Sequence, residues 1–207
     1  FGITMLSTVA LVIAGKRISL HQRQLIQFDM NQPRLSGMVR LVTSVFGLMI
    51  FVQIVFGVIF AAYFKATGVW TTWPAAFFHG IYVSVSSVTN AGFDVTGNSI
   101  IPFRHHYGFL FIVMILIIIG SIGYPVLIEC ENWAFYKFSK QTTKHRFRFS
   151  LFAKMAVFFA VFFFIVGTIL IYFSEMRGTL SRQDWFDKLM TAMFYSVSSR
   201  NAGLQIN

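Results

Sequence analysis

The sequence predicts an all-α membrane protein assembled from a repeated unit. Three observations predict it. The 207 residues are 56% hydrophobic and only 12% charged, with 26 phenylalanines, whereas soluble domains carry about 25% charge. Several apolar runs are long enough to cross a bilayer, which takes about 20 residues in a helix. Two near-identical polar stretches, Ser86–Gly92 (SSVTNAG) and Val197–Gly203 (VSSRNAG), follow aromatic-rich runs about 110 residues apart, and fixed-period similarity marks repeated structural units.

The elements follow in order. Residues 1–14 are apolar but too few to span, and read as the inner half of a helix. No charged segment precedes them as a signal peptide would require, so the chain reads as the middle of a longer one. Span 41–64 has Thr43, Ser44 and Gln53 as its polar residues; spans 107–128 and 151–173 follow. Lys154 stands where its side chain can snorkel to the interface. Gln53 suits a hydrogen bond between helices.

Loop charge sets orientation. Residues 15–40 hold Lys16, Arg17, Arg23, Arg34 and Arg40 against Asp29, and residues 132–150 hold five Lys and Arg and no acid; both are expected to face the cytoplasm. Residues 65–106 carry little charge and are expected outside. The net charge of +10 is thus a topology signal; clustered between apolar runs, it does not form a nucleic-acid surface. The single cysteine, Cys130, excludes an intrachain disulfide and reads as a packing residue.

Each external stretch holds a run too short to cross. Residues 73–87 and 185–198 each begin with Trp, an interfacial residue, and would reach roughly 22 Å as helices. Each suits a re-entrant helix that stops midway, where irregular backbone survives only inside protein or beside water. The copies of SVSS begin at Ser84 and Ser196, 112 apart, while Asn90 and Asn201 are 111 apart, so one residue has been gained or lost between them. The boundaries are then 1–36 (end of one repeat and a loop), 37–131 (a complete repeat: span 41–64, pore helix 73–87, filter 88–93, span 107–128), 132–149 (cytoplasmic loop) and 150–207 (half a repeat: span 151–173, pore helix 185–198, filter 199–204).

A cation crossing a bilayer exchanges water for other oxygens, and successive backbone carbonyls can supply them. That needs small residues and access to positive φ, which Gly provides. Val88, Thr89, Asn90, Ala91 and Gly92 are one candidate set, and Ser199, Arg200, Asn201, Ala202 and Gly203 the other. The negative C-terminal end of each short helix favours a cation there. Asp94 suits either the outer mouth or a solvated loop. Two loops cannot enclose an ion; a ring of four is needed.

The stretches FHGIYVSVSSVTNAGF (78–93) and FYSVSSRNAGL (194–204) resemble the pore loops of the Trk/Ktr/HKT potassium transporter superfamily. GKRISLHQRQLIQ (15–27) and GYPVLIE (123–129) resemble segments of its Ktr-type (KtrB-like) membrane subunit. The resemblance covers the whole chain, from the end of repeat 1 to the filter of repeat 3. It implies a fold of the potassium-channel type, pseudo-fourfold in the full chain, that takes up potassium through filter carbonyls at residues 88–92 and 199–203. It implies a homodimer and a cytosolic nucleotide-binding regulatory ring (KtrA-like), with potassium as transported ligand, sodium as a candidate coupling ion and no covalent cofactor. Leu204 departs from the family's aromatic, present in the other loop as Phe93, and Asn201 from a frequent Thr.

Other residues carry blander readings. Phe93, Leu204 and His79 are expected to support the filter. Gly120, Gly123 and Pro125 suit a hinge or close helix packing. Arg200 is expected to point behind the filter. His105 and His106 lack partners at metal-ligand spacing. A non-conducting accessory membrane protein is the competing function. An intramembrane enzyme is the least favoured, because the spans contain no nucleophile–base or metal arrangement.

Overall fold

The structure, a computed structural model, describes residues 10, 24, 38–93, 99–138, 149–175 and 184–206. Among these residues all regular structure is helical: α1 (Met38–Ala66), α2 (Trp73–Val88), a 3₁₀ turn (Ile101–Phe103), α3 (Tyr107–Ser121), α4 (Tyr124–Phe138), α5 (Leu151–Glu175) and α6 (Trp185–Asn201). Two are long and apolar enough to cross a membrane, over Val42–Ala66 and Leu151–Ser174; a third span results if Tyr107–Ser121 and Pro125–Ala134 count as one broken helix.

Local chemistry sets the ends of the short helices. Thr72 precedes α2 in extended backbone, and Pro74 sits in its first turn, where no N–H partner is lost. Asp184 stands at the start of α6 and Asp187 in its first turn, where a carboxylate meets the positive end of the helix. The apolar run 107–128 is divided between two helices. Gly123 takes φ 91 between them. A continuous helix would drive the Pro125 ring into the carbonyl of Ser121 four residues back; at the start of α4 it meets no such conflict.

The chain divides into two compact units, residues 1–52 with 124–145, and residues 53–123 with 146–207. In the first, Ser44 on α1 donates to both carboxylate oxygens of Glu131 on α4, at 3.1 and 3.2 Å. In the second, α3 packs on both α2 and α6, and α6 packs on α5. The C-terminal end of α1 and the N-terminal end of α3 meet in an aromatic cluster. Phe60, Phe64 and Phe109 are fully buried, with Phe60 edge-on to Phe109 at 5.0 Å and Phe103 4.8 Å from Phe109. His106 accepts or donates a hydrogen bond at Nδ1 with the Tyr63 hydroxyl, 2.6 Å away. α5 also exposes Phe158, Phe159, Phe162, Phe163, Ile165 and Ile169, as suits hydrocarbon.

Small residues let the short helices reach the spans. A Cβ at Gly80 would stand 2.6 Å from the Gly57 carbonyl oxygen and from the Ala61 nitrogen. A Cβ at Gly167 would stand 2.5 Å from Ser196 Oγ. Gly57 and Gly167 are 110 residues apart, so the two units of the repeat use one device.

Candidate functional site

The loops that follow α2 and α6 are held by matched serine bonds. Ser84 Oγ donates to the Gln53 carbonyl on α1 at 2.9 Å, and Ser196 Oγ donates to the Phe164 carbonyl on α5 at 2.9 Å. Ser86 Oγ then donates to the Phe93 carbonyl at 2.9 Å, and Ser198 Oγ to the Leu204 carbonyl at 2.6 Å. The first bond of each pair fixes the short helix to its span; the second ties the far end of the loop back to the helix. All four serines are buried, where an unpaired hydroxyl would be costly. The polar face of SVSS is therefore the loop's scaffold. Its 112-residue period was the signal in the sequence, although no role attached to the hydroxyls until their acceptors were visible.

The extra residue of the first loop has a definite place. After α2, Thr89 is right-handed and Asn90 left-handed at φ 53. The Asn90 N–H bonds the Ser87 carbonyl and the Ala91 N–H the Ser86 carbonyl, the paired bonds of a Schellman cap. Asn is among the few side chains that tolerate this conformation. Gly92 follows at φ 66. In the second loop α6 runs on through Ser199, Arg200 and Asn201; Ala202 caps it, and Gly203 at φ 66 is the first left-handed residue. The Ser198 carbonyl accepts from both Ala202 and Gly203 N–H groups. The side chain of Asn201 lies outside the described residues, as do Asp94 and most of the basic loop residues.

The two loops meet backbone to backbone. A Cβ on Gly92 would stand 2.1 Å from the Ala202 carbonyl oxygen and 3.5 Å from Gly203 Cα, while one on Gly203 would meet nothing within 4 Å. Beyond the glycines the chains pair: Ile100 N–H bonds the Gln205 carbonyl at 3.2 Å, and Gln205 N–H bonds Ser99 Oγ at 2.9 Å. Behind the first loop, Gly120 of α3 takes the Val88 carbonyl, which a Cβ there would approach to 2.0 Å. Close packing against the loop is thus a visible reason for Gly120. Ser87 Oγ and Asn90 Oδ1 are buried without a hydrogen-bond partner.

The remaining candidates separate. Val88 is buried, and Thr89 Oγ1 bonds back to the Val85 carbonyl at 2.7 Å. Phe93 is 69% exposed and Leu204 only 4%. His79 stacks on Trp70 with ring centroids 3.9 Å apart. Arg200 turns to α5, its guanidinium 5.8 Å from the Phe163 ring. His105 and His106 diverge: His106 faces Tyr63, whereas His105 Nδ1 lies 3.7 Å from Asp187, which also accepts from the Tyr107 hydroxyl. The Asp187 contacts tie the N-terminal end of α3 to the start of α6; with Asp187 and Tyr107 80 residues apart, nothing in the sequence pointed to them. Among the described residues no three His, Cys, Asp or Glu side chains gather as a metal site.

Long apolar helices, short helices held to them by serines, and loops that turn back define a multi-pass membrane protein of repeated span-and-loop construction. The profile of the TrkH cation transport protein family matches residues 6–207, and the chain belongs to that family. It is 38% identical over 203 residues to Ktr system potassium uptake protein D of Bacillus subtilis (strain 168), covering 98% of this chain and 43% of that protein. It is 27% identical over 203 residues to potassium/sodium uptake protein NtpJ of Enterococcus hirae, covering 98% and 42%. It is 24% identical over 205 residues to Ktr system potassium uptake protein B of Bacillus subtilis, covering 98% and 43%. The chain spans less than half the length of these relatives. Family and apolar spanning helices together place it in the plasma membrane.

Proposed function

We propose that these residues belong to a pore-forming subunit for potassium uptake, and that the segments 88–92 and 199–203, helical at Val88 and from Ser199 to Asn201, contribute two of its four filter strands. The observation that carries the reading is the meeting of two matched loops, each at the C-terminal end of a short helix, with the Ala202 carbonyl directed at Gly92. Small residues and positive φ at Asn90, Gly92 and Gly203 leave carbonyl oxygens as the principal polar groups a cation would meet. The helix ends add negative potential, and such a site needs no carboxylate. The relatives' names supply the ion: two are potassium uptake proteins and one a potassium/sodium uptake protein. Sodium is accordingly the candidate coupling ion. The remaining strands come from chain outside these 207 residues. The Ktr-system relatives favour a homodimer working with a cytosolic nucleotide-binding regulatory ring.

Expression of the full-length protein in a host lacking its own potassium uptake tests the reading. Growth at limiting potassium together with rubidium influx is expected. Expression at the membrane without either would make it a non-conducting accessory protein.

A further inference from the structure

The second loop carries a charge where the first carries none. Between the serine pair and Asn-Ala-Gly, the first loop has Val88-Thr89 and the second has Arg200 alone. Arg200 is exposed in this chain, and its guanidinium lies against α5. Its centre lies 5.8 Å from the Phe163 ring, a cation–π distance. Its Nη2 stands 3.3 Å from where a Cβ on residue 167 would be, so glycine keeps that space open. The side chain also lines a cavity of about 110 Å³ whose other walls include Ile118, Ile122, Val157, Val161 and Phe164. Phe163 is twelve residues into α5, roughly 18 Å from its start, and so deep in the bilayer. No ion pair to Arg200 is present among the described residues.

A cation laid against apolar side chains acts over a longer range than one in bulk water. Arg200 is three residues from Gly203 in the second loop. We infer that Arg200 is a positioning residue whose charge weakens cation occupancy on the side of the second loop, exchanging affinity for rate of release. The inference rests on the filter reading above. Two unit charges about 10 Å apart at an effective dielectric near 20 change an equilibrium on the order of tenfold.

The test is rubidium influx into proteoliposomes holding the full-length protein, with KM and maximal rate measured separately for Arg200→Gln and Arg200→Lys. Arg200→Gln is expected to lower KM about tenfold and lower the maximal rate; Arg200→Lys, which keeps the charge, is expected to restore both towards wild type. If Arg200→Gln does not reach the membrane, Arg200→Met keeps the apolar stem and carries the same expectation. An unchanged or raised KM, with only thermal stability or maximal rate reduced, would reduce Arg200 to a packing role and overturn the inference. The filter reading fails separately: Gly92→Ser and Gly203→Ser would then leave discrimination unchanged, whatever Arg200 does to KM.

Discussion

The two loops share a sequence and a scaffold but end their helices differently. Both are tied by a first serine to a span and by a second serine to the residue after the glycine. The first loop places its additional residue in a Schellman cap and gives the left-handed position to Asn90; Gly92 is then a separate turn, pressed against Ala202. The second keeps its residues helical to Asn201 and lets Gly203 serve as the left-handed cap, with open space around it. A one-residue difference is thus absorbed at the helix end while both anchors are kept. Two glycines with the same φ therefore do different work. Gly203 answers a conformational need alone; Gly92 answers that need and a steric one.

Substitution separates these needs. Gly92→Ser is expected to have the largest effect, because it adds the left-handed penalty, about 1–2 kcal/mol, to an overlap with a backbone carbonyl that cannot move without the second loop; a total of ~3 kcal/mol or more follows. Gly203→Ser carries only the conformational part, ~1–2 kcal/mol. Thermal melting of the purified full-length variants should rank them in that order, and equal shifts would mean that the contact with Ala202 does not constrain residue 92. Smaller and matched effects are expected from Ser84→Ala and Ser196→Ala. Each removes one hydrogen bond from a buried serine to a carbonyl on a span, worth ~1 kcal/mol. Melting shifts that differ by more than twofold between the two would break the equivalence of the repeats.

Much of this architecture was legible. Composition and apolar length gave the helical membrane class, and the spacing of SVSS and Asn-Ala-Gly located both loops and the additional residue between them. The division of 107–128 was written less plainly, since the apolar character of Ile117–Ile119 continues past it in Val126–Ile128; only Gly123 and Pro125 mark the change. The Gly92–Ala202 approach, the Gly120 seat and the Asp187 contacts were out of reach. They join residues about 30 to 110 positions apart through backbone and side-chain geometry, which periodicity does not encode. Arg200 illustrates the middle case: its oddity beside a cation path was visible, and its seat against Phe163 and Gly167 was not.

If the two loops are filter strands as proposed, they select the ion, and flux through the glycine variants reads that selection. Rubidium and sodium influx would be measured in proteoliposomes containing the full-length protein, wild type, Gly92→Ser or Gly203→Ser. Sodium influx is expected to rise relative to rubidium in both variants, more in Gly92→Ser than in Gly203→Ser. Unchanged discrimination in both would contradict the filter reading.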